Sequence, residues 1–332
     1  MLARRRLLAA SATAWTATAY AAGAWAQAAD EVKVAVSSTS FVLGGFLIGQ
    51  KAGLFAKHRL APRVVVMDSG NAAMSALLGG SVDFSVSGPP ELLAARARGQ
   101  DVMIVVNLYA GLAGSLVLGK AVAAQLGIPA TAPLADRLRK LDGLVIAEPS
   151  ATSSLLGPYR AASEAVGAHL RFTYMAQGTM PAALENSAIQ GMVASFPFAG
   201  TPILRGTGVQ WIDGPGGELP ADVLPASSSV VQATRAAVTA KPDLMRRMQQ
   251  SVIEIAGFIQ SDPANARKAL AAAYNQLSPA EIDLAYGAQL RNWTKPFLTE
   301  ADMRQELKLL QGSVKLPGLD GLDLSRALLP PP

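Results

Sequence analysis

The chain is 332 residues long, half of them hydrophobic and 16% charged, which is apolar material for about two domains and excludes a disordered chain. Its formal net charge is +5, but Arg4, Arg5 and Arg6 supply three of those charges, and the remainder holds 26 basic against 24 acidic residues. No Lys/Arg cluster beside aromatics argues for a nucleic-acid partner, and the lack of cysteine excludes thiol nucleophiles, thiolate metal sites and iron–sulfur clusters.

The N-terminus, "MLARRRLLAASATAWTATAYAAGAWAQAADE", opens on a basic patch and continues uncharged from Leu7 to Ala29. It reads as an export signal over residues 1–26, with Arg4-Arg5-Arg6-Leu7-Leu8 resembling a twin-arginine signal. Ala24-Trp25-Ala26 offers a small-x-small site, so cleavage is expected after Ala26, with Ala28 second. A permanent anchor is the competing reading, because the run is long enough to span a bilayer, but alanine and threonine insert poorly. No cysteine follows to carry a lipid.

Beyond the signal, "EVKVAV" alternates as a strand and ends in the hydroxyl-rich loop "SSTSF". "VLGGFLIGQKAGLFAKHRL" reads as a helix opened by Gly44 and Gly45, and "RVVVM" as a buried strand. A short helix reaches Leu78, Val82 to Val86 is a strand, "PELLAARARG" a helix and "DVMIVVNLY" a strand. The plan then repeats. "LDGLVIAEPS" is a strand and loop, "ATSSLLGPYRAASEAVG" a helix, "RFTYM" a strand, "AQGTMPAALENS" a loop with a helix and "AIQGMVASFP" a strand. "VQWI", the loop "DGPGGELP" and the strand "SSSVVQAT" follow. From Lys241 the pattern is helical, with a capping box at Ser278-Pro279-Ala280-Glu281 and a loose tail expected at "LLPPP".

Strands alternating with helices imply parallel βαβ units, and two such sets imply two α/β lobes with a ligand cleft between them. Residues 76–90, "ALLGGSVDFSVSGPP", and 183–197, "ALENSAIQGMVASFP", carry the same helix–turn–strand order, one in each lobe. The expected division is 27–110 with 228–332 as lobe one and 111–227 as lobe two, hinged near 105–113 and 224–231.

This order of segments resembles the periplasmic solute-binding proteins of ABC importers, in the nitrate/sulfonate/taurine group with its pyrimidine-precursor branch. The residues that carry the resemblance are "KAGLFAKHRLAPRVVV", "ALLGGSVDF", the weaker copy "ALENSAIQG", "LDGLVIAEPSATSS", "KPDLMRRM" and "DPANARKAL", spread over about residues 31 to 310. The resemblance implies a type II periplasmic-binding fold, each lobe a mainly parallel sheet flanked by helices, with a helical C-terminal region. It also implies a periplasmic, monomeric receptor without cofactor or metal. Such a receptor binds a small molecule, touches the membrane only through an ABC permease and its ATPase, and closes by a hinge. Arg59 and Ser187 stand where the family's pattern has glycine, Gln190 where it has aspartate, and Asp142 and Leu144 where it has basic residues.

Candidate ligand contacts are the loop residues that this topology sends to one side. After the first strand come Ser37, Ser38, Thr39, Ser40 and Phe41. Ser87 and Gly88 precede a helix in lobe one; Asn107 and Tyr109 lie near the first crossover. Thr152, Ser153 and Ser154 open a helix of lobe two. Gln177, Gly178 and Thr179 fill its next loop, and Ser195 and Phe196 follow its last strand. Hydroxyls and helix N-termini favour an anion, so a small anionic organic solute is expected. Each residue is also an ordinary cap or turn residue. Asp83 reads as a strand-start carboxylate bonding backbone, and Trp211 and Trp293 as packing.

Two other classes share the architecture: an enzyme or pyrimidine-precursor-processing protein, and a ligand sensor without transport. The enzymatic relatives use a reactive cysteine, which this chain lacks. Its two histidines, His58 and His169, sit near helix ends, and no hydrolase, zinc or nucleotide motif is present.

Overall fold

The computed structural model describes residues 29–332, apart from the side chains of Leu284 and Ala288. The expected export signal therefore lies outside the described residues. Among the described residues, ten strands form two five-stranded sheets. The first contains β1 (Asp30–Val36), β2 (Leu60–Val66), β3 (Phe84–Ser87), β4 (Val102–Ala110) and β10 (Ser227–Thr234), in the order β2-β1-β3-β10-β4. The second contains β5 (Gly114–Gly119), β6 (Val145–Glu148), β7 (Arg171–Tyr174), β8 (Gly191–Ser195) and β9 (Gly208–Ile212), in the order β7-β6-β8-β5-β9. One strand in each sheet runs against the rest: β10 in the first, β5 in the second.

Helices cover both sheets. The first carries α1 (Gly44–Lys51), α2 (Leu54–Lys57), α3 (Gly70–Leu78) and α4 (Pro89–Ala97). The second carries α5 (Lys120–Gln125), α6 (Leu134–Arg139), α7 (Leu156–Glu164), α8 (Met180–Glu185) and α9 (Gly200–Leu204). After β10 come α10 (Arg235–Ala240), α11 (Pro242–Ser261), α12 (Pro263–Ala273), α13 (Pro279–Gln289) and α14 (Glu300–Ser313). The expected capping box at Ser278 and Glu281 is formed, and Thr299 with Asp302 makes a second. Among the described residues no helix is long and apolar enough to cross a membrane.

The repeated segments occupy equivalent places. Asp83 Oδ2 accepts the N–H of Lys33 at 3.0 Å, just before β3, and Gln190 Oε1 accepts the N–H of Val145 at 2.8 Å, just before β8. A side-chain amide oxygen does in one lobe what a carboxylate does in the other. The turn ahead of each needs the left-handed region: Gly80 has φ +71°, and its counterpart Ser187 has φ +56°. Arg59 also adopts φ +55°. At both non-glycine positions the backbone holds a conformation that costs about 1–2 kcal/mol.

Three details differ from expectation. The helix over 44–58 is two helices, because Gly53 turns left-handed (φ +71°) between them. The helix after β6 starts at Leu156 rather than at Ala151: Ser153 turns back on Ser150 and its hydroxyl accepts the N–H of Leu155 at 3.2 Å, so local serine bonds compete with the first turn. The C-terminal tail is not loose. Leu329 donates to Ile104 C=O and Ala327 accepts from Ile104 N–H, both at 2.8 Å, and Gln249 Nε2 donates to Pro330 C=O at 2.9 Å. As an edge strand, β4 needs such partners for its backbone, and a proline can still accept.

The chain crosses between the sheets at 111–113 and 213–226. Ser228 laces the first crossing to β10: its hydroxyl donates to Gly111 C=O at 2.7 Å and accepts from Ala113 N–H at 3.0 Å. In the second, Gly214 lies so close to Gly114 that a Cβ would stand 1.9 Å from the Gly114 carbonyl oxygen. One apolar core runs through this region, from Val34 and Phe84 by way of Tyr109 and Leu112 to Leu116, Ile146 and Val193.

Candidate functional site

In each sheet the loops that follow the parallel strands leave from one edge. Those after β1, β2 and β3 meet those after β6, β7 and β8 around a cavity of about 30 Å³. That is room for one or two water molecules. The lobes are closed on each other by direct bonds. Phe41 N–H donates to Phe196 C=O at 2.7 Å, the Thr152 hydroxyl to Asn71 Oδ1 at 3.1 Å, and the Ser154 hydroxyl to Ser228 C=O at 3.3 Å.

Of the residues expected from sequence, Ser37, Gly88, Ser153, Ser154, Gln177 and Ser195 line this cavity. Gln177 Oε1 accepts from both the backbone N–H (2.8 Å) and the hydroxyl (2.9 Å) of Ser195, so these two are held in a fixed relation.

The other expected residues are placed elsewhere. Thr152 bridges the lobes at the rim through Asn71. Ser38 bonds Ser40, Thr39 faces solvent, and Gly178 and Thr179 are exposed, the threonine hydroxyl bonded to Ala176 C=O. Ser40 is buried, with its carbonyl accepting from the Tyr274 hydroxyl. Phe41 does not cover a ligand. It is fully buried against Phe196, Tyr274 and Trp293, the last two brought to it by the C-terminal segment. The Ser87 hydroxyl turns into β10 and donates to Gln232 Oε1 at 3.2 Å. Asn107 is spent on Lys295 C=O and the Ser227 hydroxyl, and Tyr109 accepts from Asn292, so both tie β4 to the C-terminal segment rather than reaching the cavity.

Phe196 also borders a separate cavity of about 130 Å³, walled by Ala199, Ile203 and Leu204 of the second lobe and by Gln289 of α13. It is more apolar and runs along β5 and β9, past Ser115 and Gln210.

Six further residues complete the cavity wall: Val42, Gly70, Glu91, Pro149, Leu155 and Ser228. Glu91 is the one that sequence reasoning most plainly missed. In "GPPELL" an acid in a first helical turn reads as an ordinary complement to the helix dipole. In the fold it is 5% exposed, and its Oε2 has no hydrogen-bond partner. Burial pushes its carboxyl up to about 8, the N–H groups of Glu91 and Gly88 pull it partly back, and nearby Glu306 adds to the rise. Glu306, also fully buried, lies behind Ser154 beside a small void shared with Pro90 and Ser153.

Two α/β lobes of one topology, joined by two crossings and closed on a polar cavity, define the periplasmic-binding-protein fold. The chain belongs to the NMT1-like family, whose model matches residues 29–274. No curated protein matches the sequence. Among solved structures, a Bordetella bronchiseptica RB50 protein superposes with a TM-score of 0.75 at 19% identity, over 90% of this chain and 94% of that one. The alkanesulfonate-binding protein SsuA of Xanthomonas axonopodis pv. citri, bound to MOPS, gives 0.69 at 16% identity, over 90% and 98%. The periplasmic nitrate-binding protein NrtA of Synechocystis PCC 6803 gives 0.62 at 13% identity, over 91% and 85%.

Proposed function

We propose that the protein is an extracytoplasmic solute receptor of an ABC importer, which closes two lobes over a small organic molecule and delivers it to a membrane permease and its ATPase. Residues 27–110 with 228–332 form one lobe in this reading, and 111–227 the other. The observation that carries it is the polar cavity walled by both lobes at the ends of their parallel strands. A ligand there touches both lobes only when they are closed, so binding shifts the closure equilibrium. The likeness to alkanesulfonate- and nitrate-binding proteins supports a solute-binding role, and export to the periplasm follows from the signal-like N-terminus. No catalytic step is assigned to the cavity. Its hydroxyls suit an anion, but among the described residues no Lys or Arg stands on the wall to neutralise one, and the same hydroxyls suit a donor-rich group equally well.

The test is thermal unfolding of the purified protein against a panel of sulfonates, carboxylates, nitrate, bicarbonate, pyrimidines, amines and amidines. At least one should raise the melting temperature in a saturable way. Gly88→Leu should abolish that rise, because a Cβ at Gly88 already stands 2.9 Å from both Glu91 Oε2 and Ser154 Cβ. If no solute stabilises the protein, or if Gly88→Leu responds as the parent does, the reading fails.

A further inference from the structure

Among the described residues, the cavity has one ionisable side chain on its wall, Glu91. Two glycines make room for it. A Cβ at Gly70 would stand 2.3 Å from Glu91 Oε1, and one at Gly88 would stand 2.9 Å from Oε2. The same Gly88 position lies 3.0 Å from Ser154 Oγ, so a lobe-one carboxyl and a lobe-two hydroxyl flank one point of the cleft.

An anion is poorly served here. The N-terminus of α4, the obvious place for one, begins with Pro89 and Pro90, which have no N–H to offer. The neighbouring N–H groups of Gly88 and Glu91 already face the Glu91 carboxyl. A second buried carboxyl, Glu306, stands behind Ser154, and among the described residues no Lys or Arg shares the wall. A buried carboxyl oxygen without a partner is costly unless a ligand group meets it.

We propose that the solute carries a cationic nitrogen group of the amine or amidine type, which donates to Glu91 Oε2 while Ser154 closes on it from the second lobe. This rests on the receptor reading above and names its substrate class. Without solute, burial and the nearby Glu306 keep the Glu91 carboxyl protonated at neutral pH. Pairing with a cation favours the carboxylate. The Glu91 O–H bond therefore breaks on binding, its electron pair stays on the carboxylate, and the proton passes to the buffer. The cation keeps its own proton.

The experiment is isothermal titration calorimetry of the purified protein at pH 7 with two sets of probes. Agmatine, putrescine and benzamidinium form the cation set; ethanesulfonate, nitrate and succinate form the anion set. Each titration is run in two buffers of different ionisation enthalpy, which counts the protons exchanged. A cation should bind with release approaching one proton per site. Glu91→Gln should weaken that binding at least tenfold and remove the release. The proton count is made on the parent protein, so the test stands even where the variant fails to fold. Binding confined to the anion set, or cation binding with no proton release, overturns the cation proposal and leaves the receptor reading intact. No binding by either set, together with no stabilisation across the wider thermal panel, overturns both.

Discussion

Trp293→Ala is expected to destabilise the protein by about 3–5 kcal/mol, the usual range for truncating a buried tryptophan. Trp293 is 4% exposed, and its Nε1 donates to Phe41 C=O at 3.0 Å. Its ring meets Phe41 and Tyr286, and the start of α1 packs close against it: a Cβ at Gly44 would stand 2.5 Å from the indole. Truncation empties that space and leaves the Phe41 carbonyl without its donor, and neither loss can be repaired by small shifts of two helices. The effect should reach the cleft, because the Phe41 N–H closes onto Phe196 C=O in the other lobe. Urea unfolding followed by far-UV circular dichroism gives the number. Trp293→Phe, which keeps most of the volume, should lose less. Equal losses for the two variants would show that the hydrogen bond, not the packing, carries the effect.

Stability should fall as pH rises from about 4.5 to about 8. Burial pushes Glu306 up to about 8, as it does Glu91, and Asp302 adds to the rise at Glu306. Each carboxyl therefore binds its proton more tightly in the folded chain than in the unfolded one. Between the two pKa values the folded state holds more protons, so the stabilisation is fully present below the unfolded pKa and is lost as pH climbs through the folded one. The slope is about 1.4 kcal/mol per pH unit for each group. Glu306→Gln should remove its share. The amide oxygen can still accept the Ser227 N–H that Glu306 Oε1 accepts at 2.9 Å, and it carries no charge to bury. Melting temperatures at pH 5 and pH 8 check this: the gap should shrink in the variant. An unchanged gap would mean that Glu306 does not titrate in this window.

Much of the fold was legible because β and α periodicities alternate cleanly and the helix–turn–strand unit recurs. Even the departures from the family's pattern made physical sense, since Arg59 and Ser187 do occupy positive-φ turns. The cavity was half legible, for an equally physical reason. Parallel topology says which loops share an edge, but not which side chain in a loop turns inward. Asn107 and Tyr109 lie on β4, a strand buried almost throughout, where no alternation separates core from cleft. The fate of Phe41 was set by Tyr274 and Trp293, more than 230 residues away in sequence. Glu91 depended on Gly70 and Gly88 together leaving space for its carboxyl, a three-body relation that no local pattern carries.

A cavity with room for one or two waters admits no organic solute, so a solute receptor of this shape needs an open population that the solute draws closed. The chain has no cysteine, and Asp68→Cys with Tyr174→Cys would place single labels on exposed residues, one just beyond the end of β2 and one at the end of its counterpart β7. Electron–electron spin-resonance distances between them should be taken with and without a saturating amount of the solute that most raises the melting temperature. Closure of the lobes on the solute predicts a long-distance component that disappears on binding and leaves one shorter distance. One unchanged distribution under both conditions would contradict it.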